Sequence, residues 1–396
     1  MERAKKILFI ASHLDPFAST KGGDAQRTNL LLQACARLGE TEVICFSPNS
    51  VSNIDHCKII YSKEIPEINQ ASGNKIQKWM PVIKCWNTES LFPRNKEKAK
   101  IVRNILNENH YDYIVTRYIS KAAECGLFDF SEKLIIDVDD LPSEEFLMYA
   151  QSSLSLSGKI RNYLFSILAR FHTLLIVKKI RFSFFSNPRQ VYKRNAAFLP
   201  NIPYYQEKTC SDIVFSSTKK RIFFVGDLGY YPNYQGIDYF LKYVYTPLQK
   251  RINDVEFHIA GANPSDKHLK EKWENYPNVS LLGFVDDLSK EYNDCRVVVV
   301  PVYRGAGTNI KVLEAMQMNR VCVVSDFAAR GYISIFDNNI DFCIAQNKED
   351  YINKLELLLS DEKINKQMAA KGHAKVKQHY SFSAFLDIVK LAFYEK

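Results

Sequence analysis

Pro301-Val-Tyr-Arg-Gly-Ala-Gly-Thr-Asn-Ile-Lys-Val-Leu-Glu-Ala-Met316 is the stretch from which the rest of the chain is read. It follows Val297-Val-Val-Val300, an apolar run of strand length, and it leads into a helix expected near 308–318. Strand, glycine-rich turn and helix start, in that order, aim unpaired backbone N–H groups and a positive helix end at one point. That suits an anion, most simply a phosphate. Arg304 and Lys311 add full positive charge there, and Glu314, one turn beyond Lys311, suits hydrogen bonding to a ribose diol. The other reading of these residues is a glycine turn shaped for packing, with an ordinary Lys/Glu surface pair.

Outward from this stretch the same rhythm repeats. Strands are expected at Arg221–Gly226, Val255–Ala260, Val279–Leu282 and Val321–Val324, with helices near 233–250 and 265–275. The first half alternates likewise: strands at Lys6–Ala11, Thr41–Phe46, Asp112–Thr116, Lys133–Val138 and Phe182–Ser186, and a helix from Ala25 to Leu38 that stops at Gly39. Short apolar strands separated by helices imply mostly parallel sheets covered on both faces. The 396 residues suit two such doubly wound α/β domains. The first spans 1–200, the second 201–378, and a helix in 379–396 is expected to pack back on the first. The polar segment from Phe198 to Lys220 reads as a linker.

Composition excludes several classes. Nine Cys occur with no C-x-x-C and no His-paired spacing, which excludes a zinc knuckle or a disulfide framework and fits a reducing cytosol. The longest apolar stretches, such as Arg296–Pro301, are strand-sized, so no membrane span is expected. Met1–Lys6 runs directly into Ile7-Leu-Phe-Ile10 without an apolar signal core, and a classical signal is not expected either. Residues 1–200 carry 28 Lys/Arg against 20 Asp/Glu, and 201–396 carry 25 against 24. Within the basic half, 151–200 holds nine Lys/Arg and no acid, interleaved with apolar residues. Three readings suit this segment: a solvated helix face, docking on anionic lipid, or nucleic-acid binding. The last lacks a recognised module, so no nucleic-acid partner is expected.

In doubly wound sheets ligands bind beyond the carboxyl ends of strands, which makes three more turns candidates. Gly226–Gly236 pairs flexible Gly229 with Pro232 and Asn233, whose amide either caps the following helix or contacts a ligand. Ser12–Arg27 holds His13 and the pair Gly22-Gly23 just before a helix, suited to close approach of a phosphate or sugar. Ile135-Ile-Asp-Val-Asp-Asp-Leu-Pro142 crowds carboxylates at a strand end. Asp137 and Asp139 project to one side and are expected to raise one another's pKa. They either polarise an acceptor hydroxyl or cap the next helix, and Arg117 pairs with them or meets the acceptor. No metal site is expected there, for want of further ligands in register.

Gly305–Met316 followed by Val321-Cys-Val-Val-Ser325 resembles the C-terminal signature of the retaining nucleotide-sugar glycosyltransferases of the GT4 family. Gly226–Gly236 and Leu282-Gly-Phe-Val-Asp-Asp287 resemble two further family segments in the same order. The resemblance covers about 220–385 and implies the GT-B architecture: two facing Rossmann-like doubly wound domains with an interdomain cleft, the donor held mainly by the second. It implies that Glu314 binds the ribose, that the backbone around Phe284 and Val285 receives the base, and that Gly305, Ala306, Gly307, Thr308 and Asn309 hold the donor sugar and diphosphate. Two positions depart from the family pattern. A frequent Glu-x7-Glu pair is reduced to Glu314, with Ala306 in the first place. The Arg and Lys that many members carry after the first strand of the second domain are absent from Asp227–Gly236, which leaves Arg304 and Lys311 as candidates for the diphosphate charge.

The resemblance implies retaining, metal-independent transfer of a sugar from a nucleoside-diphosphate donor to a hydroxyl of a glycan or lipid-linked acceptor, in cell-surface polysaccharide assembly. No cofactor beyond the donor substrate is expected. The expected location is cytoplasmic, peripheral on the inner face of the cytoplasmic membrane, with 151–200 as the docking segment. A nucleotide-sugar epimerase and a catalytically silent sugar-nucleotide-binding scaffold are the rival readings. A dehydrogenase is disfavoured because no G-x-G-x-x-G follows the first strand.

Overall fold

Lys6-Ile-Leu-Phe-Ile-Ala11 is buried from Ile7 onward, so neither of its faces meets water, as a central parallel strand requires. In the computed structural model this strand, β1 (Lys6–Ala11), lies inside the first of two sheets, with two strands on one side and four on the other. The structure describes all residues except 1–4, 14, 18–22, 48–53, 67–78, 140, 192–193, 204–207, 263–268, 306–307 and 395–396. The chain divides into two compact units: Met1–Tyr204 with Phe382–Lys396, and Tyr205–Ser381.

Among the described residues the first unit contains β1, β2 (Glu40–Cys45), β3 (Cys57–Ser62), β4 (Tyr113–Arg117), β5 (Leu134–Asp139), β6 (Phe182–Phe185) and β7 (Ala196–Phe198). They lie in the order β3-β2-β1-β4-β5-β6-β7, every pairing parallel. Phe9 of β1 is in register with Val43 on one side and Val115 on the other. The strand order reverses at β1/β4, the place where a doubly wound sheet opens a crevice. Helix Phe382–Tyr394 belongs to this unit and buries Phe385, Val389 and Phe393.

The second unit contains β8 (Arg221–Val225), β9 (Glu256–Ala260), β10 (Val279–Gly283), β11 (Val297–Val300), β12 (Val321–Ser325) and β13 (Cys343–Ala345). Their order is β10-β9-β8-β11-β12-β13, again all parallel, with the reversal at β8/β11. Val298 pairs with Phe223 across that reversal. Helix Tyr231–Phe240 follows β8 closely, and Gly236 on it approaches the Pro301 carbonyl. A Cβ at Gly236 would fall 2.0 Å from that oxygen. Gly236→Ala is therefore expected to lose about 1–3 kcal/mol of stability, the usual range for overpacking, read as a drop in melting temperature.

Two expectations change. Strands β3, β7 and β13 were not anticipated, because each is short or half-exposed at or near a sheet edge and lacks the continuous apolar run of the central strands. The expectation that no segment has spanning length and apolarity is also corrected. Helix Leu156–Lys179, 24 residues, is long and apolar enough by length and composition to cross a membrane. The sequence conceals it because Lys159, Arg161 and Arg170 break its apolar residues into short runs.

Candidate functional site

The turns that leave the carboxyl ends of β8 and β11 meet at the reversal of the second sheet. Lys311 opens helix Lys311–Gln317, yet its ammonium reaches across to the β8 turn and donates to Asn233 Oδ1 at 2.7 Å. Asn233 in turn donates through Nδ2 to the Asp227 carbonyl at 2.7 Å. The two residues are nearly buried, and the Lys311 Nζ lies 4.8 Å from the centre of the Phe224 ring. Gly226 makes room for this reach: a Cβ there would stand 2.8 Å from Lys311 Nζ and 3.0 Å from Asn233 Nδ2. Asn233 is thus neither the helix cap nor a free ligand contact. The cap position of its helix is Tyr230, without a side-chain cap, and Asn233 holds Lys311 in place.

Burial pushes the Lys311 ammonium down to about 8, against the opposing pull of Glu314 and Asp227. Burial likewise raises the Glu314 carboxyl, with Lys311 pulling it back. Glu314 keeps partial exposure, and among the described residues no donor bonds to its carboxylate. A carboxylate crowded by protein but left without a donor gains most from a ligand that brings hydroxyls.

The loop between β11 and that helix is only partly described, since Ala306 and Gly307 lie outside the described residues. Gly305 adopts φ +132°, in the region that favours glycine, and a Cβ there would meet Tyr230 Oη at 2.7 Å. Arg304 is exposed, with its guanidinium 5.7 Å from the Tyr231 ring, and among the described residues it pairs with no carboxylate. Thr308 and Asn309 are half-buried and start the helix through their carbonyls, which accept from Ile310 and Val312 at 3.1 and 3.0 Å. Helix Lys311–Gln317 is only two turns long, so the charge at this end rests on Lys311 and Arg304 more than on a helix dipole.

Gly229 donates its N–H to Asp227 Oδ1 at 2.8 Å, which closes the β8 turn. Phe284, 67% exposed, and half-buried Val285 follow the end of β10, just after Gly283 at φ +71°. Arg330 was missed from the sequence. It follows the short helix after β12, stacks 3.6 Å over Phe327 and donates to the Gly305 carbonyl at 3.4 Å. Its signal would have been a cation five residues past the end of a central strand.

The first unit places its candidates differently. Asp137 is fully buried and receives Arg27 through Nε and Nη2, both at 2.7 Å, and Arg117 Nε at 2.9 Å. Arg117 also reaches Asp139 Oδ2 at 2.5 Å and Thr28 Oγ1 at 2.7 Å. Arg27 continues to Asn201 Oδ1 at 2.8 Å and the Leu199 carbonyl at 3.1 Å. The expectation that the two aspartates raise one another's pKa is corrected for Asp137. Burial pushes its carboxyl up, but the two guanidiniums outweigh that and hold it below the usual carboxylate range. Arg117, Asp137 and Asp139 therefore form an internal ion cluster with Arg27 and do not present an open face to an acceptor. Neither aspartate caps the helix that begins at Pro142, whose cap position, Leu141, has no side-chain cap.

His13 is half-buried at the end of β1 and meets Tyr118 edge-on at 5.4 Å. Gly23 opens the following helix with nothing within 4 Å of its Cβ position, and Gly22 lies outside the described residues. Beside them sits a cluster the sequence did not suggest. Lys98, fully buried, donates to the Ser12 carbonyl at 3.0 Å and to Glu124 Oε2 at 3.1 Å, and so fixes the β1 turn. Among the described residues no group of three or more His, Cys, Asp or Glu is placed to hold a metal ion.

Two doubly wound parallel sheets, the second with converging charged turns at its reversal, give the chain the GT-B fold that the solved structures below share. Residues 219–361, within the C-terminal unit, match the family model described as Glycosyl transferases group 1. Over 126 residues the chain is 31% identical to an N,N'-diacetylbacillosaminyl-diphospho-undecaprenol alpha-1,3-N-acetylgalactosaminyltransferase of Campylobacter jejuni. That match covers 31% of this chain and 32% of the relative, about a third of the curated relative's length. Among solved structures, sucrose-phosphate synthase of Thermosynechococcus elongatus superposes with a TM-score of 0.68 at 12% identity, over 98% of each chain. Anabaena HepE in complex with UDP and glucose gives 0.63 at 12% identity, over 98% of this chain and 99% of that one. At these identities the likeness is one of fold.

Proposed function

We propose that this protein is a GT4-type retaining glycosyltransferase that moves a sugar from a nucleoside diphosphate to a hydroxyl of a glycan or lipid-linked acceptor in cell-surface polysaccharide assembly. The observation that carries the reading is the Lys311 ammonium, held by Asn233 over the β8 turn at the sheet reversal. The Arg and Lys that the β8 turn lacks are replaced there by a cation delivered from the helix after β11. Support comes also from the Campylobacter relative, whose name describes sugar transfer to a diphospho-undecaprenol-linked glycan, and from HepE, a fold neighbour solved with UDP and glucose.

The chemistry follows from where charge develops. As the glycosidic bond to the diphosphate breaks, negative charge grows on the departing phosphate, and cations already aimed at it lower the barrier most. Lys311 is fixed by a hydrogen bond and Arg304 is free to swing in, so together they supply that charge without a metal being required. Glu314 accepts from the ribose hydroxyls, and the base lies against the backbone at Phe284 and Val285. A same-face route, in which the leaving phosphate takes the acceptor proton, needs no protein nucleophile.

A thermal-shift panel of nucleoside diphosphates and their sugars, with and without magnesium, tests the reading, because a ligand selective for the folded state must raise the melting temperature. A metal-independent shift with one diphosphate is expected, and no shift with any would overturn the donor site. Ala306 favours one second reading, a sugar-nucleotide-binding scaffold without turnover, which would show the shift but release no nucleotide with any acceptor. Glu314→Ala is expected to weaken diphosphate binding by roughly 1.5–3 kcal/mol, the worth of charge-assisted hydrogen bonds to the ribose. Titration calorimetry checks this, and unchanged affinity would remove Glu314 from the site.

A further inference from the structure

The helix Leu156–Lys179 is apolar on two sides, one packed into the first unit and the other facing outward. Its inward face buries Ala169, Ile176 and Val177 in the core of the first unit, with Phe165 and Leu168 packed against it, and buried His172 is bonded to Thr88 Oγ1 at 2.9 Å and to the Cys85 carbonyl at 2.8 Å. Its outward face carries Leu156, Ile160, Tyr163, Ile167, Phe171 and Leu174, spaced three or four residues apart and each at least 39% exposed. At 1.5 Å per residue this stripe runs about 27 Å along one side. Only 28% of the most apolar window of the helix is buried. Single exposed apolar side chains are ordinary on a surface, but a continuous stripe of this length marks an interaction face.

The stripe does not stand alone. Leu154, just before the helix, is fully exposed, and Trp86, beside the His172 contact at Cys85, is 86% exposed. Lys159, Arg170 and Lys178 are exposed along the same outward side, and no Asp or Glu occurs anywhere in 151–200. Apolar stripe, flanking cations and missing acids are complementary to one kind of surface, anionic headgroups above acyl chains. A second copy of the same face is a poor partner, because a two-fold pairing would set these cations against their own kind. A span across the bilayer is equally poor, since it would strip the helix of the buried His172 contacts and carry Arg161 and Arg170 into hydrocarbon.

We propose that this outward face lies flat on an anionic lipid surface, its apolar stripe seated at the headgroup boundary and Lys159, Arg170 and Lys178 in the phosphate layer. The site is on the first unit and requires nothing of the donor site, so it stands or falls separately from the transferase reading. Flotation of the full chain with phosphatidylglycerol-containing phosphatidylcholine vesicles tests it, with pure phosphatidylcholine vesicles as the comparison. Binding about tenfold stronger to the anionic vesicles is expected, with the Trp86 emission shifting to shorter wavelength. Ile160→Ser with Ile167→Ser, and separately Lys159→Gln with Arg170→Gln, are each expected to reduce binding about tenfold while leaving the melting temperature and the nucleotide-induced shift in place. Equal recovery with neutral and anionic vesicles, or variants that float like wild type, would overturn the proposal. So would a wild-type dimer that the Ile160/Ile167 variant converts to monomer without any vesicle binding, which would assign the face to a second copy.

Discussion

Asp137→Asn is expected to lose on the order of 3–5 kcal/mol of unfolding free energy, the range for removing one member of a buried ion cluster. Asp137 is 0% exposed and is the acceptor for two guanidiniums at once, Arg27 in a bidentate pair and Arg117 through Nε. With the charge gone, two buried cations share the single carboxylate of Asp139, which Arg27 approaches only to 3.6 Å. A domain of this size has a net stability of only about 5–15 kcal/mol, so the variant is expected to unfold at much lower urea. The pH dependence has a definite sign. The Asp137 carboxyl is held below the usual range, so its contribution is full above the unfolded-state value and is lost as pH falls through the lowered one. Wild type should therefore tolerate mild acid at this site, and Asp137→Asn should lose that acid-sensitive component. Urea titrations at neutral pH and in acid check both points. A loss below about 1 kcal/mol would mean that water reaches the cluster.

Lys311→Met is expected to abolish nucleoside-diphosphate binding while leaving the ligand-free protein at least as stable. The ammonium is driven down to about 8 by burial, so the folded state binds that proton less readily than the unfolded chain does. The resulting penalty is fully present below about pH 8 and fades as pH rises towards the unfolded-state value near 10.4. A shift of that size corresponds to about 3 kcal/mol, and methionine removes it while filling the same space. Stranding the Asn233 oxygen returns about 1–3 kcal/mol of cost. The ligand-free melting temperature should thus hold or rise. Binding in the wild type should weaken as pH rises through about 8, because Lys311 then loses the charge that meets the diphosphate. Calorimetry from neutral pH to about two units above it, with melting curves of both proteins, checks the pair of expectations. Affinity flat across that range, or a Met variant that still binds, would remove Lys311 from the diphosphate.

Much of the fold was legible because the central strands are apolar on both faces. Val297-Val-Val-Val300 and Ile7–Ala11 are apolar throughout and buried, and the glycines that follow β8 and β11 locate the turns where a donor would sit. The contacts that give those turns their chemistry were not legible in the same way. Lys311 and Asn233 are 78 residues apart, Arg27 and Asp137 110 apart, and Lys98 and Ser12 86 apart. Local spacing carries no information about such partners. Asp137 and Asp139 illustrate the consequence: two neighbouring acids read as mutually repelling until Arg27, from a distant helix, arrives between them. The helix Leu156–Lys179 shows the opposite difficulty. Its apolar and basic content was plain, but periodicity alone does not say which face turns to solvent.

The return of helix Phe382–Tyr394 to the first unit sets an order of events during synthesis. Its Phe393 carbonyl accepts from Lys5 Nζ at 2.9 Å and from Tyr113 Oη at 2.7 Å, and Arg181 Nε reaches the Ala392 carbonyl at 3.1 Å. All of Tyr205–Ser381 is translated between the last strand of the first sheet and this helix. At about 5–20 residues per second that is an interval on the order of ten seconds or more. Throughout it the nascent first unit stands with the seat for Val389 and Phe393 open, while the contiguous second unit has everything it needs as soon as it emerges. The half of the molecule that is made first is therefore the half that is finished last.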